Sequence, residues 1–273
     1  MVFFHPIYEK VFAFLVFIYK LKYIPNFIKP RSFNEKLNFI KLNRTQFKLR
    51  CYISDRLSVR DYVKKNSPDC VLIDVLWHGA CLDEKVWGNM PQKFVIKANH
   101  GSGMVLIVDK EKHSYSQVFE ISEKWKNTDY AKRGGEWFYK DLDRTLIIEE
   151  FVQFENDVPP DYKFFCFHGK VKLVQVDLDR YSCHVRNLYD ENFSFLEESL
   201  YYPRGYEIAQ PFQFEKAKKI AEQLSAEFDF IRVDLYLLEN KVLFGELTNL
   251  PGNGFESFNP KYFDFQVGQW LQV

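Results

Sequence analysis

From residue 93 onward the chain is written in short runs of β-branched and aromatic residues, separated by turns long enough only for hairpins. This confines the fold more than any other feature. FVIKA (94–98) meets the turn Asn99-His100-Gly101-Ser102-Gly103 and then MVLIV (104–108). TLIIEEFV (145–152) and YKFFCFH (162–168) read as further strands, and His168-Gly169 turns the latter into VKLVQVDL (171–178). IRVDLYLL (231–238) turns at Glu239-Asn240 into VLFGEL (242–247). Strands joined this closely must pair antiparallel. With amphipathic helices expected over 116–126 and 214–227, the fold class is α+β with mainly antiparallel sheets.

The first ninety residues read differently, as mostly helical. Ser32 can cap a helix with Glu35 three positions on, and Asp55 opens DRLSVRDYVKK with Leu57, Tyr62 and Val63 at helical spacing. No repeat or linker marks the borders, so they follow the changes of pattern. The expectation is a helical leading lobe over 1–90, a glycine-loop subdomain over 91–150 and a C-terminal subdomain over 151–273. VFAFLVFIY (11–19) is apolar all round but only nine residues long, between Glu9, Lys10, Lys20 and Lys22. That is too short to span a bilayer. A buried helix is the expectation; the alternative is an interfacial helix at the inner membrane, aromatics toward lipid and lysines toward head groups.

With 47% apolar residues the chain can bury a core, and its 37 Lys and Arg balance 37 Asp and Glu. No global field therefore steers it to nucleic acid, and any anion site must be local. The five cysteines lack a CxxC spacing and no cleavable signal sequence precedes them, which fits a reducing cytoplasm. Cys166 reads as core. His100, His168 and His184 lack the spacing of metal ligands.

The chemistry concentrates in a few places. Lys97 ends a strand just before the Gly101-Ser102-Gly103 turn, whose amides would cradle phosphate; a plain hairpin would look the same. Glu149, Glu150, Phe151 and Val152 end another strand with two acids and two apolar residues, suited to an adenine edge or simply to solvent. Arg180 and Arg186 follow a strand end and would clamp an anion or sit solvated. In the last hairpin the register decides the reading of Asp234 and Glu246. A two-residue loop at Glu239-Asn240 pairs Asp234 with Gly245 and sends Glu246 to the opposite face; a three-residue loop pairs Asp234 with Glu246. Facing carboxylates repel unless a cation lies between them, and magnesium suits such hard oxygen donors; pairing with arginines such as Arg232 is the other solution.

Taken in order, FVIKANHGSG, LIIEEFV, DYKFFCFHGKV, IRVDLYLL and FGELTNLPGNGF resemble the ATP-grasp superfamily, specifically its TupA-like group linked to bacterial polysaccharide biosynthesis. PRSFNEKLNFIKLNR (30–44) and SDRLSVRDYVKK (54–65) look like that group's N-terminal segments. The resemblance implies two α+β lobes clasping ATP, with Lys97 on the phosphates beneath Gly101, Ser102 and Gly103. It gives Glu149 or Glu150 the adenine amino group, Phe151 and Val152 the ring edge, Asp161 the ribose, and Lys163 the phosphates or adenine. Asp234 and Glu246 would hold Mg2+, Arg232 would stabilise transition-state charge, and Arg186-Asn187 is similar to an Arg-x-Asn element that holds phosphate or substrate. Two positions depart from the pattern. Thr248 stands where many relatives place a third, asparagine, metal ligand, and Arg56 stands where the group commonly has lysine, which exchanges a compact ammonium for a planar fork.

The implied activity is that of an ADP-forming carboxylate-amine ligase with ATP and Mg2+, working through an acyl phosphate. Its partners would be a uronic acid, free, nucleotide-linked or polymeric, and an amino acid, in capsule or O-antigen synthesis. A non-catalytic MgATP-binding scaffold, a sugar phosphotransferase and a glycosyltransferase are the alternatives, the last without a DxD motif to support it.

Overall fold

The computed structural model describes residues 6–131, 135–153, 160–179 and 183–273. Its contacts form two units, one taking residues up to 47, 63–71 and 160–273, the other 48–62 and 72–159. The first ninety residues are thereby shared between both units.

The larger unit is built on a five-stranded antiparallel sheet in the order β10-β9-β5-β6-β7. Its strands are β5 (Asp161–Phe167), β6 (Lys170–Leu178), β7 (Val185–Asp190), β9 (Phe230–Leu237) and β10 (Val242–Thr248). Side chains alternate across a strand, so the cross-strand partners fix the faces. Phe164, Cys166, Val174, Val176, Val233 and Leu235 share one face and are buried. They meet helix α7 (Phe214–Ser225), whose Phe214 ring lies 6.0 Å from Phe164 and whose Ala221 carbonyl accepts a contact from the Cys166 thiol. Cys166 is core, as expected, and burial pushes its thiol up to about 12.

At the start of the chain, helix α1 (Pro6–Leu21) buries Ala13, Phe17 and Leu21 against Tyr23, Phe27 and Phe255. The opposite side of this helix is exposed and apolar, so the expected buried helix is buried on one side only. Helix α2 (Phe33–Asn43) starts in the capping box read from the sequence, with Ser32 accepting from the Glu35 amide and Glu35 reaching back to Ser32. The Glu35 carboxylate also takes the amides of Asn26 and Arg31. Helix α2 is bound to the far end of the chain: Asn34 Nδ2 donates to the Glu256 carbonyl, Asn38 Nδ2 to Gly254, and Lys36 Nζ to Gly268 and Leu271. A two-stranded sheet pairs β8 (Ser199–Leu200) with β11 (Phe258–Asn259), and α8 (Tyr262–Gln269) follows.

The smaller unit carries a four-stranded antiparallel sheet in the order β1-β4-β2-β3. It contains β1 (Val75–Gly79), β2 (Lys93–Ala98), β3 (Val105–Asp109) and β4 (Leu146–Glu150). Strand β1 interrupts the stretch expected to be mostly helical; five residues with alternating exposure gain their stability from pairing with β4 rather than from local pattern. Phe94, Ile96, Ala98, Leu146 and Ile148 cover one face beneath α6 (Tyr115–Lys126), itself capped by Ser114. The unit also takes α3 (Phe47–Ser54) from residue 48 and the start of α4 (Ser58–Asn66); α5 (Glu84–Asn89) completes its helices. Asp55 caps α4, accepting from the amides of Leu57 and Ser58. Among the described residues no helix is long and apolar enough to cross a membrane.

Candidate active site

In the larger unit the face of the five-stranded sheet opposite α7 is polar. Asp161, Lys163, Gln175, Asp177, Arg186, Arg232, Asp234, Glu246 and Thr248 occupy matching register positions on five adjacent strands. The register of the last hairpin combines the two solutions that its sequence permits. The turn is the two-residue one, closed by the Leu238 amide on the Lys241 carbonyl. A bulge at Gly245 then inserts one extra residue into β10, so that Glu246, not Gly245, stands opposite Asp234. Glycine is required there because a Cβ would come within 2.8 Å of the Asp234 carbonyl oxygen.

Asp234 is the centre of this cluster and is 1% exposed. Arg232 grips it bidentately, Nε and Nη2 each at 2.7 Å, and Lys163 Nζ reaches it at 2.7 Å while also holding Asp161 at 2.7 Å. Burial by itself would raise the Asp234 carboxyl, but Arg232 and Lys163 outweigh it and hold it well below the usual carboxylate range. Burial likewise disfavours the Lys163 ammonium, yet Asp161 and Asp234 raise it above its ordinary value. Both groups are therefore charged at neutral pH. Glu246 is more open: its Oε1 accepts from Thr248 Oγ1 at 3.0 Å and from Arg232 at 3.4 Å. Thr248 thus bridges Arg232 and Glu246.

Arg186 lies on β7, not in a solvated loop. It donates to Asp177 at 2.6 Å and to Glu256 at 3.3 Å, and its guanidinium sits 4.8 Å from the Tyr202 ring centre. Burial would raise Asp177, but Arg186 outweighs it and lowers the carboxyl. His184 Nε2 stands 3.3 Å from Asp177, and its ring packs on Tyr202. Asp177, Gln175 and Glu256 went unnoticed in the sequence; strand alternation through VKLVQVDL marks Gln175 and Asp177 as one face, whereas nothing local marks Glu256. Arg180 lies outside the described residues.

The second cluster belongs to the smaller unit. On the face of its sheet away from the core, Lys97 Nζ donates to Glu149 Oε2 at 2.5 Å, and Arg60 of α4 stands 3.7 Å from the other carboxylate oxygen. Val95 and Ile147, opposite Glu149 and Lys97 in the ladders, place apolar surface beside the pair. Glu150 alternates away and is exposed, while Phe151 and Val152 continue beyond the strand, half-buried. Arg60 was missed because a helical arginine near a lysine run looks like an ordinary solvated face.

The glycine turn joins β2 to β3. The Arg56 guanidinium is turned to backbone: its Nε donates to the Ala98 carbonyl and its Nη2 to that of Gly101. Asn99 adds a bond to Asp55, and His100 Nε2 meets the Trp125 carbonyl. Ser102 and Gly103 remain exposed at the tip, Gly103 at φ +73°, where a side chain would be strained.

The model of the TupA-like ATPgrasp family matches residues 35–272. The chain belongs to that family. It thereby has the ATP-grasp fold, with ATP and Mg2+ as cofactors. Among solved structures it is similar to the D-alanine–D-alanine ligase of Helicobacter pylori, at 14% identity over 88% of this chain and 67% of that one, with a TM-score of 0.48. The Bacillus anthracis ligase complexed with ATP gives 12% identity, 72% and 54% coverage and a TM-score of 0.43. The ATP-grasp ligase PsnB, complexed with a precursor variant, Mg and ADP, gives 8%, 71% and 50%, and 0.42. The chain spans about half the length of these last two. Comparison with curated proteins gave no match.

A magnesium ion at this hairpin would meet Asp234, whose Oδ1 here accepts from Arg232 Nε and whose Oδ2 accepts from Arg232 Nη2 and Lys163 Nζ, and the more open Glu246. Asp234 and Glu246 face each other as hard oxygen donors, and Mg2+ characteristically takes only one or two carboxylates together with phosphate oxygens and water. A fuller cage is not required, and no group of three or more Asp, Glu, His or Cys suited to a metal occurs among the described residues.

Proposed function

We propose that this protein is an ADP-forming ligase that joins an amino acid to the carboxylate of a uronic acid in the synthesis of a capsular or O-antigen polysaccharide. The γ-phosphoryl group of ATP passes to a carboxylate oxygen, releasing ADP. The amine then attacks the acyl carbon of the acyl phosphate, and the C–O bond breaks to give amide and inorganic phosphate, the amine proton passing to solvent. The observation that carries the reading is the bulged hairpin, which sets Asp234 and Glu246 opposite each other with Arg232 and Lys163 attached.

Asp234 and Glu246 would hold Mg2+, with Thr248 as a hydroxyl beside them; the ion supplies charge neutralisation to the phosphates of ATP. Arg232, bonded to Asp234, Glu246 and Thr248, would bring its positive charge to the transferred phosphoryl group. Lys163 keeps its proton and balances Asp161 and Asp234, which places a fixed positive charge beside the nucleotide. Arg186, on the same face, is assigned to a phosphate or to the substrate carboxylate, a recognition its fork suits. Lys97 and the amides of Gly101, Ser102 and Gly103 serve the phosphates. Glu149, with Glu150 as the other candidate, serves the adenine amino group, Phe151 and Val152 the ring edge, and Asp161 the ribose. Since Glu149 is bonded to Lys97, nucleotide must loosen that pair or bind through it.

Release of ADP and phosphate from MgATP, with uronic acids and their nucleotide-linked forms offered with and without pooled amino acids, tests the proposal. Release that needs both partners supports the ligase. ADP with carbohydrate alone, yielding a stable phosphorylated sugar, replaces it by a phosphotransferase, and MgATP binding without any release replaces it by a scaffold.

A further inference from the structure

The exposed side of helix α1 is a continuous apolar stripe. Tyr8, Val11, Phe12, Leu15 and Tyr19 lie on one side of the helix, each three or four residues from another of the set, and are 42–74% exposed. The segment after the helix adds Ile24 at 76% and Ile28 at 87%. Single exposed apolar residues are ordinary, but a row of this length on one helix is a surface that excludes water only when something covers it.

Charge identifies what covers it. Residues 6–31 hold five cations, Lys10, Lys20, Lys22, Lys29 and Arg31, against the single acid Glu9, in a chain whose total charge is zero. Glu9 itself is paired with Arg44. The Lys22 ammonium lies 4.7 Å from the ring centre of Tyr19, so a cation flanks the end of the stripe. Beside Ile28, a concavity of about 720 Å³ has Lys29 and Arg31 in its lining, together with Lys36, whose ammonium is held by the Gly268 and Leu271 carbonyls. An apolar helical face with tyrosines toward both ends and cations around it is the arrangement that lies in the plane of an anionic membrane, rings at head-group level and ammonium groups on lipid phosphates. A second copy of this chain would bring two such cationic segments together, which like-charge repulsion opposes.

We infer that α1 and residues 22–31 dock this protein on the surface of a bilayer containing anionic lipid, without crossing it. The inference does not rest on the proposed reaction, and its test does not read turnover. The full chain is centrifuged with vesicles of phosphatidylcholine alone and of phosphatidylcholine mixed with phosphatidylglycerol. Partition onto the mixed vesicles is expected to exceed that onto the neutral ones by about tenfold or more and to fall as salt is raised. The double variant Leu15→Glu, Tyr19→Glu should lose binding at least tenfold, and Lys20→Ala, Lys22→Ala, Lys29→Ala should lose the preference for anionic lipid; the lysine variant keeps the test decisive if the first fails to fold. Wild-type protein that stays in the supernatant overturns the inference, as do folded variants that bind as well as wild type. So does a wild-type dimer in sedimentation velocity that Leu15→Glu, Tyr19→Glu dissolves without any effect on vesicles.

Discussion

Replacing Asp234 by asparagine separates what this residue does for the fold from what it is proposed to do for the reaction. The carboxylate takes two bonds from Arg232 and one from Lys163, all at 2.7 Å. An amide of the same shape keeps one acceptor oxygen but turns an NH2 group toward a cation. Removing one partner of a buried ion pair costs about 3–5 kcal/mol, and because Lys163 retains Asp161 while Arg232 retains Thr248 and Glu246, the lower end, about 3 kcal/mol, is expected. With a urea slope of about 3 kcal/mol per molar, the unfolding midpoint should fall by about 1 M. Hydrogen exchange should place the loss in β5 and β9. The sign with pH follows from the depressed carboxyl. Its stabilisation is complete above the unfolded value of about 4 and is lost as the pH falls below that toward the folded value, so wild type and variant converge in acid. A variant that unfolds at the wild-type urea concentration at pH 7, or a gap that widens in acid, would refute the reasoning.

Glu246→Gln should change stability by less than about 1 kcal/mol, since its side chain is 42% exposed, yet abolish ADP release; near-normal turnover in the folded variant removes Glu246 from the metal site. Gly245→Ala places a methyl group 2.8 Å from a backbone oxygen, so it should cost about 1–3 kcal/mol in thermal melts and weaken Mg2+-dependent nucleotide binding, measured by calorimetry. Arg56→Ala deletes the guanidinium bonds to Ala98 at the end of β2 and to Gly101 in the glycine turn, and amide exchange of residues 99–103 should accelerate about tenfold, the equivalent of one to two net hydrogen bonds; unchanged exchange would show that Asn99 and His100 suffice to anchor the turn.

Much of the sheet architecture was legible because strand alternation and tight turns are local signals. The strands of the central hairpins and the helix after Phe214 follow their expected positions to within a few residues, and Ser32 and Asp55 cap as their spacing implies. The pairing of Asp234 with Glu246 was legible only as a choice between two loop lengths. The bulge that decides it was signalled by Gly245 inside a strand, but only the close approach of the Asp234 carbonyl explains why a glycine is there. Strand β1 and the Arg186–Glu256 connection escaped because they depend on partners far along the chain, which no window of sequence contains, whereas Arg186 and Asp177 lie nine residues apart on neighbouring strands. The half-exposed state of α1 escaped for the opposite reason: a helix apolar all round carries no pattern that says which side is covered.

The bonds from α2 to the end of the chain set a schedule for synthesis. Asn34 and Glu256 are 222 residues apart, and Asn38 and Gly254 are 216 apart. At a ribosomal rate of about 5–20 residues per second, α2 waits about ten to forty seconds for these two partners to emerge, although Phe165 and Phe167, which pack on its Phe33, are made earlier. Residues 72–159 need only 48–62, already made, to complete their unit. The nascent chain thus carries a finished C-terminal neighbour and an unfinished N-terminal segment at the same time, and it is during this interval that a holding chaperone has something to bind.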